Sequence, residues 1–155
     1  MRTLFLLLAC CLQIHAADLV VQIGTEKPLT VKMSDLELLP HQTVQAADHG
    51  GKEATWRGVP LYQVLQFAGI SFGDSLRGPA LAQYVVITAT DGYKAVFALP
   101  ELDPRSTDDP VLLCETMNDT ALPADLGPLR LVVPKEKRHF RWVRNVTKIE
   151  MRRVE

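Results

Sequence analysis

The chain has 155 residues, enough for one domain with a real core. Hydrophobic residues make up 47% and charged residues 23%, and the formal net charge of −1 excludes a general attraction to nucleic acid or to an anionic membrane. Three cysteines, two of them at positions 10 and 11, exclude a disulfide-stapled scaffold.

In chain order, MRTLFLLLACCLQIHAADL comes first. It has a positive start at Arg2, an apolar stretch Leu4–Leu12 and small residues Ala16 and Ala17, the pattern of a secretory signal peptide over residues 1–17. The apolar stretch is short of the roughly 18–20 residues of a membrane span, so no stable span is expected. A lipid anchor at Cys10, in Leu7-Leu8-Ala9-Cys10, is the alternative. Cleavage removes Arg2, Cys10 and Cys11. It leaves Cys114 as the sole thiol, and 16 basic against 18 acidic residues, a net charge of −2. The expected location is the periplasm or the exterior. Asn-x-Thr sequons stand at Asn118 and Asn145.

Residues 18–155 read as one domain. Residues 18–24 and 28–33 are two short strands joined by turn residues, a hairpin. Ser34 is placed to cap a short helix, 35–39, that Pro40 ends. Residues 41–46 read as a strand. Residues 60–69 are the clearest helix, with Pro60 in its first turn, an apolar face of Leu61, Val64, Leu65 and Ala68, and Gly69 at its end. Two β-rich runs between 83 and 102 flank Asp91-Gly92, a strong hairpin signal. Residues 103–110 are a polar, solvated loop. Residues 111–117 are an apolar strand with Cys114 in the core, 121–128 a turn-rich link, and 129–134 a strand. In 145–154, Thr147, Ile149 and Met151 alternate with Lys148, Glu150 and Arg152, a strand with one wet face. Strands dominate without regular βαβ alternation, so the fold class is α+β with mixed, mainly antiparallel sheet and one main helix.

The succession TWRGVPLYQVLQFAG, TATDGYKAVFALPEL, DPVLLCETMN, LGPLRLVVP and FRWV resembles the sulfite oxidase-type molybdopterin-binding domain, from about Leu38 to Ile149. The resemblance rests on Trp56 with Gly58-Val59-Pro60-Leu61, on Asp91-Gly92-Tyr93, and on Pro128-Leu129-Arg130 with Val133-Pro134. It implies a pterin phosphate held by Arg and Lys and a molybdenum bound by one cysteine thiolate. Arg130 matches the family arginine of the Pro-Leu-Arg segment. Arg141 stands before Trp142, where the family commonly has Lys, and a guanidinium is chemically adequate for phosphate. The usual His-Gly before this segment is replaced by Leu126-Gly127. The region of the ligand cysteine, LLPHQTVQAADHGG, has Ala46, Ala47, Asp48 and His49 and no cysteine. Exported family enzymes usually use a twin-arginine signal, because a cofactor held by tertiary contacts must travel in a folded protein. This leader has a single arginine.

The remaining chemistry is sparse. Asp48-His49 beside Gly50-Gly51 reads as a polar turn, or as an acid–base pair or metal half-site if the loop brings the two side chains together. His41, His49 and His139 show no metal-ligand spacing, so no zinc site is expected. Tyr93 opens a strand and is a candidate pocket edge. The basic cluster Lys135, Lys137, Arg138, His139 and Arg141 reads either as a solvated strand end or as an anion patch anchored by Arg130 and Arg141. Arg130, inside an apolar run, needs a partner such as Asp91 or Glu115.

The candidate pocket for an anion or a pterin phosphate is therefore Arg130, Arg141, Lys137, Arg138, His139, Tyr93 and His49. The preferred reading is a non-redox binding module for a small anionic ligand or a periplasmic protein partner, with no cofactor. One alternative is a molybdopterin-dependent oxidoreductase with atypical ligation. Another is a partner or sensor-input domain with a vestigial pocket, using an exposed sheet edge. Whether the chain is an enzyme stays open at this point.

Overall fold

The computed structural model describes residues 18–154. The expected signal peptide and Cys10 lie outside the described residues. Ten strands run in order: β1 (Leu19–Ile23), β2 (Leu29–Val31), β3 (Gln42–Ala47), β4 (Glu53–Pro60), β5 (Gln83–Ala89), β6 (Lys94–Ala98), β7 (Leu112–Met117), β8 (Thr120–Ala121), β9 (Arg130–Val132) and β10 (Val146–Arg153). Two short helices, α1 (Met33–Glu37) and α2 (Leu61–Phe67), interrupt them.

The strands form two sheets. The first has the order β2-β1-β10-β5-β6, and the second β3-β4-β7-β8 with β9 also paired to β7. Among the described residues only β1 and β10 pair in parallel, Val20 opposite Lys148 and Ile23 opposite Met151. The C-terminal strand thus sits between the N-terminal hairpin and the β5–β6 hairpin, so distant parts of the chain close the first sheet. One apolar core takes Leu19, Val21, Ile87, Phe97 and Ile149 from that sheet and Trp56, Val59, Leu113 and Leu131 from the second.

Most expected elements are present. The β1–β2 hairpin pairs Leu19 with Val31. At the β5–β6 turn Gly92 takes φ +85°, and Asp91 Oδ1 accepts the Tyr93 N–H at 2.9 Å. This is the local chemistry for which Asp and Gly are selected. Cys114 is fully buried, as its apolar surroundings required.

Four details differ. The strand β4 had not been expected, because Gly58 and Pro60 are weak strand formers. Its alternation is nonetheless legible, with Ala54, Trp56 and Gly58 buried and Glu53 and Arg57 exposed. Gly58 lies where β4 and β7 shift register, and a Cβ there would sit 2.1 Å from the Leu113 carbonyl oxygen. Pro60 ends β4 in an extended conformation, so α2 begins one residue later. The first helix is capped at Lys32 and not Ser34, because the Asp35 carboxylate accepts the Lys32 N–H at 2.9 Å. Finally, Asp103 is not solvated. It is buried and accepts backbone N–H groups from Gly73 and Arg105, each at 2.9 Å, which pins the 103–110 loop.

Both sequon asparagines carry structural hydrogen bonds. Asn118 Oδ1 accepts the Thr55 N–H at 2.9 Å, and Asn145 Nδ2 donates to the Asp125 carbonyl at 3.1 Å.

Candidate functional site

The site grows from the end of β3. Trp56 Nε1 donates to the Ala46 carbonyl at 3.1 Å, which fixes β3 against β4. Past Ala47 the chain turns, with Gly51 N–H donating to the Asp48 carbonyl at 2.7 Å and Gly51 at φ +70°. That turn presents Asp48 and His49. The short strand β9 brings Arg130 beneath them. A 3-10 turn at His139–Arg141 brings His139 from the other side.

Arg130 is the organising residue. Its side chain is 0% exposed. Nη2 donates to Asp48 Oδ1 at 2.8 Å, and Nη1 reaches Oδ2 at 3.4 Å. The guanidinium carbon lies 4.8 Å from the ring centre of Trp56 and 5.4 Å from that of Trp142. A buried cation is costly unless paired, and aromatic faces add to the pairing. Arg130 Nε is buried without a partner. The acid expected for Arg130 was Asp91 or Glu115, but the partner is Asp48. Glu115 instead meets His41 at 3.3 Å, and Asp91 serves its own turn. Burial alone would raise the Asp48 carboxyl. The hydrogen bonds from Arg130 and from the His49 N–H, with the Arg130 charge, outweigh it and hold the group below its ordinary range.

Beside this pair stand two imidazoles. The rings of His49 and His139 meet edge-on with centres 4.8 Å apart, and His139 lies 4.2 Å from the Trp142 ring. Burial first, and His49 second, lower the His139 pKa, so its neutral form is favoured. Asp48, His49 and His139 each offer a donor atom within 4.8 Å of the others. Spacing along the chain could not reveal this group, because 90 residues separate its two parts.

His49, His139 and Tyr93 line one cleft of about 220 Å³, together with Ala89, Asp91 and Arg144. Three residues of the expected pocket are thus brought together. The Tyr93 hydroxyl donates to the Phe140 carbonyl at 2.5 Å, which ties the β5–β6 turn to the 139–141 segment. Arg144 and Asp91 had not been singled out as pocket residues. Arg144 follows Trp142-Val143 just outside the basic cluster, and only the return of β10 to β5 places it here. A second cleft of about 210 Å³ lies under the 104–111 loop, but its charged lining residues are the acidic Asp108 and Asp109.

The rest of the basic cluster does not join Arg130. Arg141 Nε donates to Glu136 at 2.5 Å and Nη1 to Glu101 at 3.0 Å, with the guanidinium 4.2 Å over the Phe97 ring. Lys135 pairs with Asp109. Arg138 lies 5.9 Å from the Phe140 ring, and Lys137 is exposed. A run of like charge in sequence has become a set of separate surface contacts.

The residues were tested against a thiolate-ligated molybdenum. Ala46 and Ala47 bring only methyl groups to the end of β3. Cys114 is buried in β7, opposite Gly58 on one side and Arg130 on the other. Burial pushes its thiol pKa up, which keeps it protonated. Among the described residues no thiol faces the cleft, and Arg130 is closed by Asp48. These side chains do not fit the metal's thiolate ligation.

No curated protein matches the sequence. Among solved structures, the chain is similar to the sulfane dehydrogenase SoxCD from Paracoccus pantotrophus, with a TM-score of 0.66 and 21% identity. The match covers 87% of this chain and 38% of that one, so the present chain spans well under half of its neighbour. Identity at this level speaks for the fold alone, the sulfite oxidase-type molybdopterin-binding fold. The model of the family described as oxidoreductase molybdopterin binding domain matches residues 11–155. Together with the two sheets, the Arg130 strand and the Trp56–Trp142 pair, that match places the chain in this family: it belongs to the oxidoreductase molybdopterin-binding domain family.

Proposed function

We propose that this protein is an exported, non-redox member of its family that holds a small anionic ligand in the cleft lined by His49, His139, Tyr93 and Arg144. The observation that carries this reading is the closure of the Arg130–Asp48 pair between two tryptophans, next to a β3 end without a thiol. The resemblance assigns Arg130 to a pterin phosphate, and here Asp48 takes up its two Nη groups from within. Arg144 and two imidazoles remain at the cleft as groups that can face an anion. The cleft is smaller than the roughly 300–1,000 Å³ of drug-sized ligand sites, which suits a compact ligand. Export rests on the leader pattern of residues 1–17.

Family membership favours a second reading, a molybdopterin-dependent oxidoreductase with atypical ligation. A third occupant, a protein partner, would use the β6 edge, where Val96 and Phe140 are exposed. The experiment is metal analysis with pterin fluorescence after acid oxidation, on mature protein from its native compartment. The expected result is neither molybdenum nor pterin. About one of each per chain overturns the proposal in favour of the oxidoreductase.

A further inference from the structure

We propose that Asp48, His49 and His139 form a binding site for one divalent first-row transition ion, with zinc as the reference metal. Nothing in the family resemblance assigns a metal to these three side chains. The inference rests on their geometry and not on the identity of any anionic ligand in the cleft.

The donor set is two imidazoles and one carboxylate, which suits zinc and its neighbours and leaves coordination positions open. The donor atoms lie within 4.8 Å of one another. Zinc bonds of roughly 2.0–2.1 Å place tetrahedral ligand atoms about 3.4 Å apart. The widest pair must therefore close by up to about 1.4 Å. His49 can supply that movement. It is exposed and precedes Gly50-Gly51, whereas His139 is held against Trp142 and Asp48 by Arg130.

The surroundings are those of a supported ligand set. Asp48 Oδ1 takes the short hydrogen bonds from Arg130 and the His49 N–H, so Oδ2, with only a 3.4 Å contact, has lone pairs to give. Arg130 fixes the plane of the carboxylate, as outer hydrogen-bond partners do for metal ligands. Its positive charge also weakens the site, so micromolar affinity is expected in place of the tight binding of closed structural zinc sites. His49 and His139 share their cleft with Tyr93 and Arg144, so water or one anionic oxygen there would complete the shell.

The test uses untagged protein stripped with chelator and titrated with Zn²⁺ alone by calorimetry. Co²⁺ and Cu²⁺ titrations are followed through tryptophan fluorescence, since the His139 ring lies 4.2 Å from Trp142. One ion per chain is expected, with Cu²⁺ quenching the fluorescence in step with occupancy. His49→Gln and His139→Gln should each weaken Zn²⁺ binding about tenfold or more. His41→Gln, at the other end of β3 and held by Leu39 and Glu115, should not change it. His49 is exposed, so His49→Gln reports on binding without threatening the fold. Absence of a stoichiometric ion overturns the proposal, as does an affinity that either His49→Gln or His139→Gln leaves intact. A finding of molybdenum and pterin would overturn the proposed function without deciding the zinc titration, so the two readings fail separately.

Discussion

Arg130 and Arg141 are eleven positions apart, and both were matched to phosphate-binding positions of one family. Their fates differ. Arg130 is wholly buried, held by a single carboxylate and enclosed by Trp56 and Trp142. Arg141 is 32% exposed and shared between Glu101 and Glu136 at the edge of the first sheet. The difference shows that a basic cluster in sequence is not a basic cluster in space. It also shows that burial, not charge count, decides which cation the fold depends on.

Substitutions can break this comparison in a graded way. The largest effect is expected from Asp48→Asn, which leaves the Arg130 charge buried without a carboxylate. Unfolding in urea should show a loss of about 3–5 kcal/mol. Arg130→Met should cost less, about 2 kcal/mol, because the Asp48 side chain is 30% exposed and water can reach it. The double variant should recover most of the loss of Asp48→Asn, since Met beside a neutral, part-exposed Asn leaves no buried charge without a counter-charge. If the two single losses simply add, the pair does not act as a unit.

Arg141→Met should lower stability by only about 1 kcal/mol, through its partly exposed ion pairs and its contact with Phe97. A loss as large as that of Asp48→Asn would erase the contrast. Glu150 is an intermediate case, 16% exposed between Lys148 and Arg152 on β10. Burial would raise its carboxyl, but hydrogen bonds from Lys148 and Arg152 and their charges hold it below the ordinary 4.5. Its contribution is therefore complete above about pH 4.5 and is lost as the pH falls through the lowered folded value. Glu150→Gln should flatten that acid limb of the stability curve, measured by thermal unfolding between pH 3 and 6, conditions set around the ordinary carboxylate range of about 4. The smallest effect is expected from Lys135→Ala, because its pair with Asp109 is exposed, and its urea unfolding curve should overlay that of the parent protein.

Much of the fold was legible. Hydrophobic alternation and turn chemistry place β1, β2, β5, β6, β7 and β10, since those signals are local. The strand β4 escaped because Gly58 and Pro60 oppose strand propensity. The fold needs Gly58 only where the backbone of Leu113 comes within reach. Within the expected pocket, His49, His139 and Tyr93 do meet at one cleft, while Lys137, Arg138 and Arg141 lie apart from it.

The sequence by itself determined an α+β domain with mainly antiparallel strands, a cysteine buried in an apolar strand, an alanine pair at the end of β3 and an arginine in an apolar strand that must find a counter-charge. Those properties follow from residue identity and from periods of two or about 3.6, which act over a few positions. Tertiary structure alone decided which acid meets Arg130, which histidines become neighbours and where Arg144 points its charge. Asp48 and Arg130 are 82 residues apart, and no local rule ranks Asp48 above Asp91 or Glu115. Only the packing of β9 beside β7, with the 48–51 turn over it, leaves one carboxylate within reach of a cation that has been taken out of water.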